Sequence, residues 1–404
     1  MGMATGSGPS ACLSDPAAGS RAAIDAPPRP HPRAGDPLPV PYCLGAGVRG
    51  SSVAGMKPAR VVLVVLDAFP NDRVSADLTP TLWALAEEGG RNADGGLADL
   101  TAATYPNHLS FVSGAPAKEH GWFANRAFVD GGWAQTAQLG PPVPTIFDAC
   151  ATEGRSSVAV LGDQYLVGVC GAGVADQHWP PRGELPEAAP TNPGGYAADE
   201  AVVSAASQMD LDADFVFVQL DSVDAARHRF GATSDEALEQ CRATDAALGE
   251  ILETIRPRWG DTVVCVVSDH DQEDVSRQDP IDLRQHLRDG LTHTNQGTAA
   301  VVVGQTDAAE LLAIPGVTGS VAMRPDHHVV WGDEGQLFAR EARVKGDHGS
   351  PRTRAQVAIV AGGHPRVAGI AERIERTRPT SASWLAPLCE VMDLRWRPGV
   401  ELSR

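Results

Sequence analysis

The chain has no cysteine pair at C-x-x-C spacing, no excess of positive charge, no long apolar run and no internal repeat. Each gap excludes something. The longest apolar stretches, such as Val61–Leu66 and Val263–Val267, fall far short of the roughly 20 residues that cross a bilayer. They read as strands buried on both faces. A net charge of −18 excludes general binding to a nucleic-acid polymer, which needs a basic footprint. It does not exclude a small phosphate ester, because bound divalent cations can reverse the sign of a local site. The seven cysteines are scattered, which excludes a zinc knuckle or a thioredoxin-like motif. Reduced, buried thiols are expected, with Cys150 and Cys170 the one candidate bridge. The amino-terminal stretch lacks the apolar core of a secretory signal, so a cytoplasmic location without a membrane partner is expected.

Residues 1–57 read as a disordered tail rich in Pro, Ala and Gly. Seven prolines fall between Asp25 and Tyr42 with few apolar residues among them, too few to offset the entropy of ordering the segment. Met56, just before the first strand, is a candidate translation start. From residue 58 to 404 the pattern changes. Val61–Leu66, Val158–Leu161, Phe215–Leu220, Val263–Val267, Ala300–Val303 and Val357–Val360 read as strands. Thr79–Glu88 reads as a helix opened by Thr79-Pro80 and stopped by Gly89-Gly90, and Ser234–Ile255 as a long helix with core-like spacing. Strands alternating with helices predict an α/β fold with a mostly parallel central sheet and helices on both faces.

Such sheets gather their sites at the carboxyl ends of the strands, and this chain places acids there repeatedly. Asp67 ends the first strand, Asp221 and Asp224 follow Phe215–Leu220, and Ser268-Asp269-His270 follows Val263–Val267. One aspartate after a strand is usually a turn or cap residue; three from separate strands predict convergence. Asp224 and His228 are four apart, which on a helix puts them on one face. His348 lies in a turn-rich segment before Val357–Val360. Imidazoles with carboxylates make an N/O ligand set suited to zinc-like ions. In Thr104-Tyr-Pro-Asn-His108, Pro106 suits the first turn of a helix, which places Thr104 at or just before the N-cap. The bland reading is a cap residue. The functional reading is a hydroxyl at a helix start that attracts phosphate, activated by a base or a metal.

These segments resemble, in order and interval, the alkaline phosphatase superfamily, and most closely its nucleotide pyrophosphatase/phosphodiesterase branch. The resemblance rests on Asp67, Thr104-Tyr-Pro-Asn-His108, Asp224-Ala-Ala-Arg-His228, Ser268-Asp-His270 and Asp347-His-Gly349. Ser113–Gly121 and a closing segment around Arg378-Pro-Thr380, Leu385–Val391 and Pro398-Gly399 extend it over about residues 60–390. It implies an alkaline phosphatase-like three-layer sandwich and two divalent metal ions, zinc first. One would be held by Asp67, Thr104, Asp269 and His270, the other by Asp224, His228 and His348. It also implies a phosphate-binding Asn125. Two departures stand out: Arg227 and Asp271 occupy positions where the family usually has glycine.

The expected reaction is hydrolysis of phosphodiesters or nucleotide pyrophosphates through a phosphothreonine at Thr104, with Asn125 and the Tyr105 N–H binding a non-bridging oxygen. The partner is a small phosphate ester, possibly a nucleotide. Phosphomonoester or phosphonate hydrolysis on the same site is the alternative, and a non-catalytic phosphate-binding protein is the rival from another class. A sulfatase is excluded because Thr104-Tyr-Pro-Asn-His does not fit a Cys/Ser-x-Pro-x-Arg setting. Arg126, Arg227 and Arg229 lie near the motifs but are not placed by sequence. Ala127–Pro142, Trp179–Tyr196 and Gln272–Thr294 are expected to wall the pocket. Trp122 and Phe123 either stack on a ligand or fill the core.

Overall fold

Six of the seven residues of strand β1 (Arg60–Leu66) are Val or Leu, and all seven are buried. Alternation along the strand divides them between two cores. Val61, Leu63 and Val65 pack with helices α2 (Thr104–Ser113), α3 (Ile146–Glu153), α7 (Val367–Arg376) and α8 (Leu385–Val391). Val62, Val64 and Leu66 pack with α1 (Pro80–Glu88), α4 (Asp199–Ala206) and α6 (Asp235–Ile255). A strand apolar on both faces therefore dictates helices above and below, the expected three-layer arrangement. The computed structural model describes residues 57–276 and 279–396. The tail expected over residues 1–57, Met56 and Pro398-Gly399 lie outside the described residues, apart from Lys57.

The central sheet has seven strands. The others are β2 (Gly90–Arg91), β3 (Ser157–Leu161), β4 (Gln177–Trp179), β5 (Phe215–Leu220), β6 (Thr262–Val267) and β11 (Ala358–Ala361), in the order β2-β11-β6-β1-β5-β3-β4. β1 runs parallel to both β5 and β6, and β3 runs parallel to β5 and β4, whereas β11 is antiparallel to β6 and β2. The three strands β6, β1 and β5 are thus neighbours in register, and their carboxyl ends deliver Asp269, Asp67 and Asp221 to one edge.

Ala300–Val303 is a strand, but not of this sheet. It forms β8 (Ala299–Val303) in a separate antiparallel sheet with β7 (Thr292–Gln296), β9 (Val317–Arg324) and β10 (His327–Gly332), ordered β7-β8-β10-β9. The periodicity of β8 was legible because it is buried throughout; its partners alternate or carry polar residues and were not read. Of the stretches expected to wall the pocket, Ala127–Pro142 begins in a hairpin of Arg126–Val129 with Gly132–Gln135, and Gln272–Thr294 runs into β7. Cys150 and Cys170 are buried free thiols, so the candidate bridge is not formed. Among the described residues no helix is long and apolar enough to cross a membrane.

The start of α1 shows how the layers are tied. Thr79 at its N-cap makes no side-chain cap bond. The buried Asp245 of α6 caps it instead, its carboxylate accepting the Thr81 and Leu82 N–H groups at 3.0 and 2.9 Å. Asp245→Ala leaves two amides without their acceptor, and a loss of about 1–3 kcal/mol is expected, read from the urea midpoint. An unchanged midpoint would mean that α1 is fixed by other contacts.

Candidate active site

Thr104 is the first residue of α2, and the N-cap position belongs to Ala103, with extended φ/ψ and no side-chain cap. The hydroxyl is therefore not used as a cap. Thr104 Oγ1 lies 3.3 Å from His270 Nε2. Every residue of α2 is buried, so the helix is fixed on all sides and only its first turn faces the edge of the sheet. Helix α5 (Ser222–Phe230) brings Asp224 and His228 to the same edge, with His228 Nε2 3.4 Å from Asp224 Oδ2. His348 follows a short antiparallel pairing of Gly346–Asp347 with Glu273–Asp274, just beyond Asp269-His270. Its ring stacks on His270 at 3.8 Å between centroids, and its Nε2 stands 3.9 Å from Asp224 Oδ1. All seven expected ligand residues, Asp67, Thr104, Asp224, His228, Asp269, His270 and His348, are gathered at one edge.

The imidazoles share one orientation. His228 Nδ1 lies 2.8 Å from the Gly346 carbonyl, His348 Nδ1 2.9 Å from the Ala102 carbonyl, and His270 Nδ1 3.2 Å from the Asp271 carbonyl. A carbonyl can only accept, so each Nδ1 carries a proton and each Nε2 is the nitrogen turned into the cluster. The Nε2 atoms face carboxylate oxygens: His270 Nε2 is 3.2 Å from Asp269 Oδ2 and 3.7 Å from Asp67 Oδ1. Asp67 Oδ1 and Asp269 Oδ2 are buried and receive no hydrogen bond. Acceptors facing acceptors in a buried site call for cations between them, and this N/O donor set fits divalent metal ions of the zinc type. Ligand atoms of Asp224, His228 and His348, of Asp67, Asp224 and His270, and of Asp67, His108 and Asp269 lie within 4.8 Å of one another in each group.

The titration of these groups follows from the crowding. Burial, then the neighbouring carboxylates of Asp269, Asp224 and Asp221, hold Asp67 well above the usual carboxylate range. For Asp224, burial acts upward, but His228, His348 and His270 outweigh it and hold it low. Asp269 is held low in the same way by His270 and His108, again against burial. Burial pushes His270 down to about 3, which keeps its Nε2 lone pair free at neutral pH.

Supporting residues are arranged around this cluster. Gln219 Nε2 donates to Asp67 Oδ2 at 2.9 Å. The Ala68 and His270 N–H groups both donate to Asp269 Oδ1 at 3.0 Å. Asp221, flagged beside Asp224 in the sequence, accepts from Asn192 Nδ2 at 2.7 Å. His108 was quoted in the sequence without a role. Its Nδ1 lies 2.9 Å from the Thr104 carbonyl and 3.4 Å from Asp269 Oδ2, so it braces both; its place one helical turn after Thr104 was the available signal.

Asn125 is also brought to the site, with a different division of labour from that expected. Its Oδ1 accepts the Tyr105 N–H at 3.1 Å, and its own N–H donates to Gln296 Oε1 at 2.9 Å. The Tyr105 N–H therefore orients the amide through its oxygen. Trp122 and Phe123 are buried within two separate hydrophobic clusters, so they fill the core and offer no stacking face. Arg126 and Arg229 are exposed, and Arg227 is buried and engaged with protein partners.

With this geometry in view, comparisons with known proteins are informative. None of the curated proteins matches the chain in sequence. Among solved structures, the human ectonucleotide pyrophosphatase / phosphodiesterase 5 aligns at 16% identity with a TM-score of 0.65, over 85% of this chain and 97% of its own. The murine protein aligns at 18% identity with a TM-score of 0.64, over the same shares. Phosphonoacetate hydrolase from Sinorhizobium meliloti 1021, in complex with phosphonoformate, aligns at 18% identity with a TM-score of 0.61, over 84% of this chain and 95% of that one. These likenesses establish an alkaline phosphatase-like fold. The sequence profile of the type I phosphodiesterase / nucleotide pyrophosphatase family matches residues 61–316, well over half of the chain, and the chain therefore belongs to that family of hydrolases.

Proposed function

We propose that residues 58–404 form a metal-dependent hydrolase of phosphodiesters or nucleotide pyrophosphates that works through a phosphothreonine at Thr104. One observation carries the reading: the Thr104 hydroxyl sits 3.3 Å from His270 Nε2, inside a cluster where the Nε2 atoms of three imidazoles face buried carboxylates. Asp67, Thr104, Asp269 and His270 would hold one divalent cation, and Asp224, His228 and His348 a second, zinc at both. When bound, such a pair supplies Lewis-acid charge that eases ionisation of a hydroxyl and offsets charge building at phosphorus.

The side chains do the rest. The helix that carries Thr104 fixes Oγ1 at its positive end, where an anionic ester is drawn in. Oγ1 gives up its proton to solvent as it bonds to phosphorus, the bond to the departing ester oxygen breaks, and that oxygen takes a proton from solvent and leaves as an alcohol or phosphate, with Thr104 phosphorylated. Asn125 Nδ2 donates to a non-bridging oxygen as charge develops there. Water then cleaves the phosphothreonine, restores the hydroxyl and frees the second product. A substrate with a single charge on phosphorus suits this site. Arg227, the buried arginine beside the cluster, gives its guanidinium donors to Ala68, Ala232 and Gln272 carbonyls and to Asp271, so it is not free to meet a monoester dianion. Hydrolysis of a phosphonate is the second reading, supported by the phosphonoacetate hydrolase among the structural neighbours.

Thr104→Ala is expected to lower kcat/KM by roughly 10³-fold or more, about 4 kcal/mol of transition-state stabilisation, while elemental analysis still finds about two metal ions per chain. A loss of only tenfold would contradict the covalent route. Removing metal with a chelator is expected to abolish turnover and lower the melting temperature, because a ligand at about 1,000 times its Kd contributes about 4 kcal/mol to the folded state; zinc should restore both. Parallel assays of bis(p-nitrophenyl) phosphate, p-nitrophenyl phosphate and phosphonoacetate should show the diester fastest. Faster turnover of either other substrate transfers the assignment to that class, and silence on all three with metal bound leaves a binding protein.

A further inference from the structure

The two positions where the chain departs from its family are in contact. Arg227 and Asp271 form an ion pair at 2.6 Å between Nη1 and Oδ1, with the arginine side chain 5% and the aspartate side chain 24% exposed. Arg227 stands on α5 between Asp224 and His228. Its Nη1 also donates to the carbonyl of Ala68, next to Asp67, at 2.5 Å. Its Nη2 donates to the carbonyl of Gln272, two residues past His270, at 3.0 Å, and its Nε to the carbonyl of Ala232 at 3.3 Å. One guanidinium thus ties together the three segments that carry Asp67, Asp224 with His228, and Asp269 with His270.

The tie is closed from the other side. Asp271 Oδ1 accepts the Gln272 N–H at 2.7 Å, and the Asp271 carbonyl accepts His270 Nδ1–H. The buried Gln272 reaches back to α5, where its Nε2 donates to Asp224 Oδ1 at 2.6 Å and to the Asp224 carbonyl at 3.2 Å. Asp224 is the carboxylate nearest both His228 and His348. Its rotamer, and the spacing of α5 from the loop after β6, are therefore set by Arg227, Asp271 and Gln272 acting together. A planar fork with N–H donors spread around its edge can make these contacts at once; a lysine, a single point of charge, cannot.

We propose that Arg227, Asp271 and Gln272 are positioning residues, a clamp that fixes the separation of the two halves of the ligand cluster and so sets the affinity for the second divalent cation. This rests on the two-cation reading above. Groups that orient ligands in this way typically account for about 10–100-fold in metal affinity or activity.

The test is zinc affinity, measured by competition with a chromophoric chelator on the full chain, together with melting temperature. Arg227→Lys and Gln272→Ala are each expected to weaken one of two zinc sites by about 10–100-fold, and to lower kcat more than they raise KM. Gln272→Ala should do so with little change in the melting temperature of the metal-free chain, since its side-chain hydrogen bonds go only to Asp224. In the double variant Arg227→Gly/Asp271→Gly, melting should recover relative to Arg227→Gly, because no unpaired buried charge is left, while zinc affinity should not recover. Two zinc ions bound by the wild type, with both affinities unchanged within twofold in Arg227→Lys and Gln272→Ala, would overturn the clamp alone. A wild-type chain that holds no zinc would overturn the two-cation reading and the clamp with it.

Discussion

The constraint on which the carboxyl edge of the sheet depends is the burial of Asp67, Asp224 and Asp269 side by side. Ionised carboxylates removed from water without compensation are very costly, and crowding multiplies the cost. The imidazoles beside them each spend an Nδ1–H on a backbone carbonyl and turn Nε2 toward the acids. The partial relief visible within the chain comes from Gln219 and the Ala68 N–H, which donate to the Asp67 and Asp269 oxygens turned away from His270 Nε2, and from Gln272, which donates to the Asp224 oxygen nearer His348.

The sheet makes this concentration possible. β6, β1 and β5 lie side by side and parallel, so their carboxyl ends emerge together, and two apolar faces hold them rigidly. The second sheet adds a wall. Gln296 of β7 fixes the backbone of Asn125, and Thr298, next to β8, donates its N–H to the His348 carbonyl at 2.8 Å. The antiparallel insertion therefore steadies both Asn125 and the last imidazole of the cluster.

What was legible in the sequence had a local signature. Val-rich runs gave β1, β5 and β6, the acids at their ends gave the site, and the four-residue spacing gave Asp224 with His228. What was hidden depended on partners distant in the chain. The polar strand β7 shows no core pattern of its own, Trp122 and Phe123 could not be assigned to core or pocket until their neighbours were known, and Asp245 caps a helix about 160 residues away. The Tyr105 N–H was expected to meet the ligand, yet it is occupied by Asn125. Arg227 and Asp271 each looked like an isolated oddity; only side-by-side placement reveals that one accommodates the other.

The cluster also has a temporal consequence. Its members are drawn from positions between Asp67 and His348, and His348 arrives after the entire antiparallel insertion has been made. A nascent chain emerging from the ribosome presents the acids of β1, β5 and β6 long before their final imidazole exists. The full cluster therefore cannot assemble until His348 has been made, and any product that stops short of it lacks the last imidazole.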